Sequence, residues 1–147
     1  MIRYGSTISR IAADVYGTNL FLAIDILKEF NTHIGNFNWV LAGQKLWLPP
    51  LSQEILLRKQ KDSSYRFILG SFRSLAGAEQ FAQAVRRKGY IVSITPRRVS
   101  DDFLLYRVEI IQLKNSETAS RAWDTARTQR WLTVSDGREE QQKQLNY

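Results

Sequence analysis

The pair Pro49-Pro50 constrains this chain more than any other feature. Proline cannot donate to a β-ladder and pushes the residue before it into extended conformations, so two in succession end whatever element precedes them. The 147 residues therefore divide into a first part, residues 1–50, and a longer second part. Each is large enough for a small module with its own core. Residues 51–63 mix Gln, Glu, Arg, Lys, Asp and Ser and read as a linker. Within it Ile55-Leu56-Leu57 is too apolar to stay free, and is expected to dock on one module as a short helix.

Before the break, Met1 to Arg3 reads as a short strand leading to the turn Gly5-Ser6. Ser6 or Thr7 can accept a backbone N–H as a helix N-cap does. Ile8, Ile11, Ala12 and Val15 fall at i, i+3, i+4 and i+7, one buried helical stripe, and Gly17 ends that helix. Residues 20–30 form a second helix with Asp25, Lys28 and Glu29 as its only polar positions. Residues 31–38 are loop, and residues 44–48 return as a strand, giving the order βααβ.

After the linker, residues 65–69 have strand composition. Ala78, Phe81, Ala82 and Val85 make a helical stripe, and Gly89 stands where a left-handed C-terminal cap is expected. Residues 90–95 form a strand closed by Pro96. Asp101-Asp102 turns the chain into a strand over residues 104–111. Asn115 or Ser116 caps a helix with Ala119, Ala122, Trp123 and Ala126 on its inner face, and residues 131–134 form a last strand. This βαββαβ order predicts an α+β, ferredoxin-like module over residues 64–135: four strands with both helices on one face. Residues 136–147 read as a polar tail.

Hydrophobic residues make up 44% and charged residues 24%, a globular composition. Charged residues interrupt every apolar run well short of a membrane span, so no transmembrane segment is expected. The net charge of +7 favours polyanionic partners: nucleic acid, anionic lipid or the acidic polymers of a cell wall. Arg86-Arg87-Lys88, Arg97-Arg98 and Arg127/Arg130 lie on separate elements rather than in one basic stretch.

The first part resembles the LysM family. That family has a strand, then Gly-Asp-Thr-Leu-Ser-x-Ile-Ala, a Tyr-Gly turn, a second helix, an Asn-Pro-x-Ile loop and a closing Pro-Gly-Gln-x-Leu-x-Ile-Pro. Here stand Gly5-Ser6-Thr7-Ile8-Ser9-Arg10-Ile11-Ala12, Tyr16-Gly17, Asn31-Thr32-His33-Ile34 and Ala42-Gly43-Gln44-Lys45-Leu46-Trp47-Leu48-Pro49. The resemblance implies that N-acetylglucosamine-containing glycans bind between the first turn and the loop after the second helix. It assigns that role to Gly5, Ser6 and Thr7 on one wall and to Asn31, Thr32, His33 and Ile34 on the other. Ser6 replaces the family's Asp and Thr32 its Pro.

The second part resembles the SPOR family, which opens with Val-Gln-Leu-Gly-Ser-Phe, ends its first helix with Lys-x-Gly-Tyr and continues to Arg-Val-x-Val-Gly-Pro-Phe. Phe67-Ile68-Leu69-Gly70-Ser71-Phe72, Arg87-Lys88-Gly89-Tyr90 and Arg107-Val108-Glu109-Ile110 match, whereas Ile111-Gln112-Leu113 replaces Gly-Pro-Phe. The resemblance implies binding of peptidoglycan strands stripped of their stem peptides through the open sheet face. Strand alternation sets Phe67, Leu69, Val108 and Ile110 toward the helices and Arg66, Ile68, Arg107 and Glu109 on the open face, a candidate second glycan or protein site. Ile68 stands where the family has an outward Gln.

Other chemistry finds little purchase. His33 is the only histidine and cysteine is absent, so there is no ligand set for a metal. Glycoside hydrolysis needs two carboxylates roughly 5–10 Å apart across a cleft. Asp101-Asp102, Glu139-Glu140 and Asp25/Glu29 have no such partner, and no nucleophile is paired with a base. RNA binding by a βαββαβ sheet needs outward aromatics, where Ile68 and Glu109 stand instead. The expectation is a non-enzymatic peptidoglycan-binding protein with no cofactor, in the periplasm or cell envelope; Met1 to Gly5 show no leader, so on this reading it has been removed or the sequence is a fragment. Leu22, Ile26 and Phe30 form a second apolar row on the second helix. Either residues 55–57 or the second module covers that row, or it contacts a protein partner. The latter reading makes the chain a structural adaptor in an envelope assembly such as a secretion, pilus or flagellar machine. Trp39 and Trp47 are expected to pack rather than to stack on sugar.

Overall fold

The computed structural model describes residues 8–17, 20–34 and 45–132. Two helices come first, α1 (Ile8–Tyr16) and α2 (Leu20–Phe30), packed against each other. The expected stripe of α1 is buried throughout, and Gly17, at φ +68°, ends the helix in the left-handed region that a side chain disfavours. Lys45 to Pro50 then run without a ladder among the described residues, so the expected closing strand is not formed there. The expected first strand and Trp39 lie outside the described residues. Tyr16 ties the segment back, its hydroxyl donating to the Pro49 carbonyl at 2.6 Å.

The stretch read as a linker is built into the fold. Leu51 and Leu56 are fully buried, α3 (Gln53–Leu56) forms the expected short helix, and β1 (Leu57–Lys59) joins the sheet. A turn at residues 60–64 returns the chain into β2 (Tyr65–Phe72), with Ser63 at φ +70° and Asp62 accepting from the Ser64 N–H. The polar composition of 58–64 belongs to a hairpin tip and an exposed sheet edge, which composition alone does not separate from a linker.

Next come α4 (Leu75–Arg86), β3 (Ile91–Ser100), β4 (Phe103–Leu113) and α5 (Ser116–Thr128). Gly89 is left-handed at φ +95°, and Asn115 caps α5 by accepting from the Thr118 N–H. Pro96 does not end β3. That strand pairs only with β4, so the missing N–H falls on the free side of an edge strand, where proline is tolerated. The sheet order is β1-β2-β4-β3, antiparallel throughout. The edge beside β2, where a fourth C-terminal strand was expected, holds β1. Trp131 and Leu132 are not in a strand, and residues 133–134 lie outside the described residues.

One sheet face packs on α4 and α5. Phe67 stacks on Trp123 with ring centroids 5.5 Å apart, and Phe72 meets Phe81 at 5.0 Å. The opposite face was expected to be open. Instead α2 lies across it, touching β2, β3 and β4. The described residues therefore form three layers: α4 and α5, the sheet, and α2 backed by α1.

Candidate functional site

The contact between α2 and the sheet is built on charge. Leu22, Asp25, Ile26 and Glu29 fall at i, i+3, i+4 and i+7, one face of the helix, while Ala23, Ile24 and Leu27 are buried on its other sides. Asp25 is 1% exposed. Its carboxylate accepts from Arg107 Nε at 2.7 Å and Nη2 at 2.9 Å, from Arg97 Nε at 3.1 Å and from Ser71 Oγ at 2.7 Å. One turn on, Glu29 pairs with Arg107 at 2.8 Å, with Arg97 at 3.5 Å and with Arg58. A buried carboxylate is tolerated only when paired and hydrogen-bonded, and these contacts meet both conditions.

A bulge in β2 makes the arrangement possible. Strict alternation places Ile68 and Ser71, three residues apart, on opposite faces. The register shift between Ile68 and Gly70 sets Ile68 opposite Glu109 and Ser71 opposite Arg107. Cross-strand partners share a face, so both point toward α2.

Burial works against the charge on Glu29, but attraction and hydrogen bonds from Arg107 and Arg58 outweigh it and hold the carboxyl below its ordinary value of 4.5. Arg107 likewise loses hydration by burial, more than made up by Asp25 and then Glu29, so it stays charged at any pH the fold survives. The sign for Glu29 follows from linkage. A carboxyl lowered on folding adds stability that is complete above its unfolded value and is lost as pH falls through the folded one. Urea unfolding at pH 6, 4 and 3 should therefore show wild type losing stability faster than Glu29→Gln below pH 4.5. Parallel curves would count against this pairing.

The sheet-face residues singled out from sequence are thus only partly accessible. Ile68 is 0% exposed and Arg107 5%, and Glu109 is buried while accepting from Arg66 Nε at 3.2 Å and Nη2 at 3.1 Å. Beyond the end of α2 a polar cleft of about 310 Å³ survives. Arg58, Arg66, Arg97 and Arg107 line it with Glu109, and Gln60 and Thr95 complete the wall. Sequence reasoning missed Arg58, Gln60 and Arg97, because the first two sit in the supposed linker and β3 was ended at Pro96.

The N-terminal candidates divide as well. Gly5, Ser6 and Thr7 lie outside the described residues. Asn31 is buried, donating to the Leu27 carbonyl at 2.7 Å and the Trp47 carbonyl at 2.9 Å, and accepting from the Trp47 N–H at 2.7 Å. Its amide is spent on pinning the loop to residue 47. Ile34, assigned to the same wall, is buried too. Thr32 and His33 face outward, with His33 Nε2 2.9 Å from the Lys45 carbonyl. Trp47 corrects the packing expectation: it is 72% exposed, beside an apolar groove lined by Phe30, Leu46, Leu48, Pro50 and Ile55. Leu22 and Ile26, the candidate partner row, are buried inside the chain, and only Phe30 of that row reaches the surface.

A four-stranded antiparallel sheet backed by two helices, in ββαββα order, is an α+β domain compatible with the ferredoxin-like class. In a comparison with protein families, residues 61–130 match the model of the SPOR domain, a peptidoglycan-binding domain of the cell envelope. The match runs from the turn before β2 to the end of α5. It includes neither α1 to α3, nor β1, nor any part of residues 1–50. No curated protein and no solved structure matches the chain. Among the described residues no helix is long and apolar enough to cross a membrane.

Proposed function

We propose that this chain is a non-catalytic peptidoglycan-binding protein that works in the periplasm, with a LysM-like module over residues 1–50 supplying a second amino-sugar surface. The match of residues 61–130 to the SPOR domain carries the reading. On the SPOR side, α2 leaves the cleft at Arg66 and Arg97 as the accessible part of the sheet face. On the N-terminal side the surface includes Thr32 and His33, near the exposed ring of Trp47, and the LysM resemblance adds Gly5, Ser6 and Thr7. Two weak sites on one chain raise each other's occupancy through effective concentration, so the whole chain holds a polymeric wall better than either site alone. The adaptor reading loses its main support, since Leu22 and Ile26 are used within the chain.

Co-sedimentation of the intact chain with purified sacculi tests the proposal. The protein should pellet, and chitin oligomers should release part of it by competing for the N-terminal site. Protein that stays in the supernatant at low salt overturns the reading. Sacculi that lose turbidity on incubation overturn its non-catalytic part.

A further inference from the structure

Two basic clusters that lie far apart in the sequence come together in the fold. Arg86, Arg87 and Lys88 close α4, and Arg127 and Arg130 close α5. The segments that follow the two helices meet, the ring of Tyr90 packing edge-on against that of Trp131 with centroids 6.1 Å apart. Arg87 and Lys88 lie within three residues of one ring, and Arg127 and Arg130 within four of the other, so these cations gather around the pair.

Other arginines of the same helices are neutralised, Arg86 by Glu79 and Arg121 by Glu117. Arg87, Lys88, Arg127 and Arg130 are exposed, and their side chains make no ion pair or hydrogen bond among the described residues. Asp124 is the only carboxylate in the last two turns of either helix. A helix dipole favours a cation in its last turn, a role that Arg86 and Arg127 already fill. Arg130 lies past that turn. The end of α5 is a Schellman turn, in which the Trp131 N–H donates to the Ala126 carbonyl at 2.9 Å and the Arg130 N–H to the Arg127 carbonyl at 3.1 Å. Arg130 holds its left-handed position at φ +59°, where glycine carries no Cβ penalty. A strained arginine without an internal partner points to a use for its charge at the surface.

The patch is also amphipathic. Tyr90 and Trp131 are half-buried among the cations, and Ile91, the first residue of β3, is 52% exposed. Rings with one wet side, an exposed aliphatic side chain and unpaired Lys and Arg suit the headgroup level of a bilayer. An acidic polymer would engage the cations and make no use of the isoleucine.

We propose that this end of the α4/α5 layer docks on a membrane rich in anionic phospholipid. The inference goes beyond wall binding and does not depend on it. Because α4 and α5 lie on the opposite side of the sheet from α2, one chain can touch a bilayer and a wall polymer together.

Flotation of the intact chain with lipid vesicles is the test. The protein should float with phosphatidylcholine vesicles that contain phosphatidylglycerol and stay behind with phosphatidylcholine alone. Each Lys or Arg held at an anionic leaflet raises partitioning about fivefold. Lys88→Gln/Arg130→Asn, one cation from each helix end, should therefore weaken it roughly 25-fold. Both side chains are exposed and asparagine tolerates the left-handed turn, so this variant keeps its fold and its binding to sacculi. Lys59→Gln/Lys61→Gln removes the same net charge near the far edge of the sheet and should cost less than about fivefold. Ile91→Ser should weaken flotation severalfold and leave retention on heparin unchanged. No flotation with anionic vesicles, or equal losses from the two charge pairs, overturns the proposal. Flotation indifferent to Ile91→Ser overturns it in favour of an acidic polymer. Loss of sacculus binding in the Lys88/Arg130 variant overturns it too, since the patch would then belong to wall binding.

Discussion

Replacing Arg107 by alanine should cost about 3–5 kcal/mol of folding stability, read from the urea midpoint at neutral pH. The guanidinium supplies two of the four hydrogen bonds that Asp25 receives and one partner of the half-buried Glu29, and the Arg107–Asp25 pair is buried between α2 and the sheet. Without it the Asp25 carboxylate keeps Arg97 and Ser71 but stays out of water. The cost is that of leaving a buried charge short of partners, which exceeds the net value of the pair. The double variant Asp25→Leu/Arg107→Met should accordingly recover most of the loss, since apolar replacement removes the desolvation penalty along with the attraction. An ion pair on a solvent-open face is worth only about 0–1 kcal/mol. A loss that small for Arg107→Ala would mean that α2 does not rest on the sheet in solution.

Ile68→Gln probes the same contact from its apolar side, with an expected loss of about 3–5 kcal/mol. Glutamine is the residue the SPOR pattern carries at this position, facing outward. On an uncovered sheet the exchange would be close to neutral. Here the side chain is fully buried on the α2 face, so the change forfeits the burial of an isoleucine, about 1.5–3 kcal/mol, and strands an amide, about 1–3 kcal/mol. Ile68→Leu, which keeps volume and polarity, should stay within about 1.5 kcal/mol of wild type. Near-neutral behaviour of the glutamine variant would again expose the sheet.

Local signals were legible where they arose from one element. The stripes of α1, α4 and α5, the left-handed glycines at 17 and 89 and the Asn115 cap all follow from spacing and backbone sterics within a few residues. The inward set Phe67, Val108 and Ile110 follows from alternation in the same way. What sequence did not reveal depends on pairings between distant segments. Asp25 and Glu29 read only as two polar positions of an apolar helix, because nothing nearby shows that Arg107 lies above them. The bulge that turns Ser71 toward Asp25 breaks a rule of alternation at a point where no glycine or proline falls on the extra residue, Leu69. β1 was hidden because a polar hairpin edge and a flexible linker share a composition. The candidate site was legible in half: Arg66, Arg107 and Glu109 were placed on one face, and cover of the Leu22/Ile26 row by the second module was among the readings offered, but that face was still expected to be open.

The position of α2 bears on how pieces of this protein behave. The obvious place to cut is Pro49-Pro50, and a fragment starting there would carry the sheet without its lid. Arg97 and Arg107 would then stand on open β-strands with their two acidic counterweights gone, beside a bare Ile68. Such a fragment would stick to RNA, heparin or any acidic column with an avidity that belongs to the wound and not to the protein.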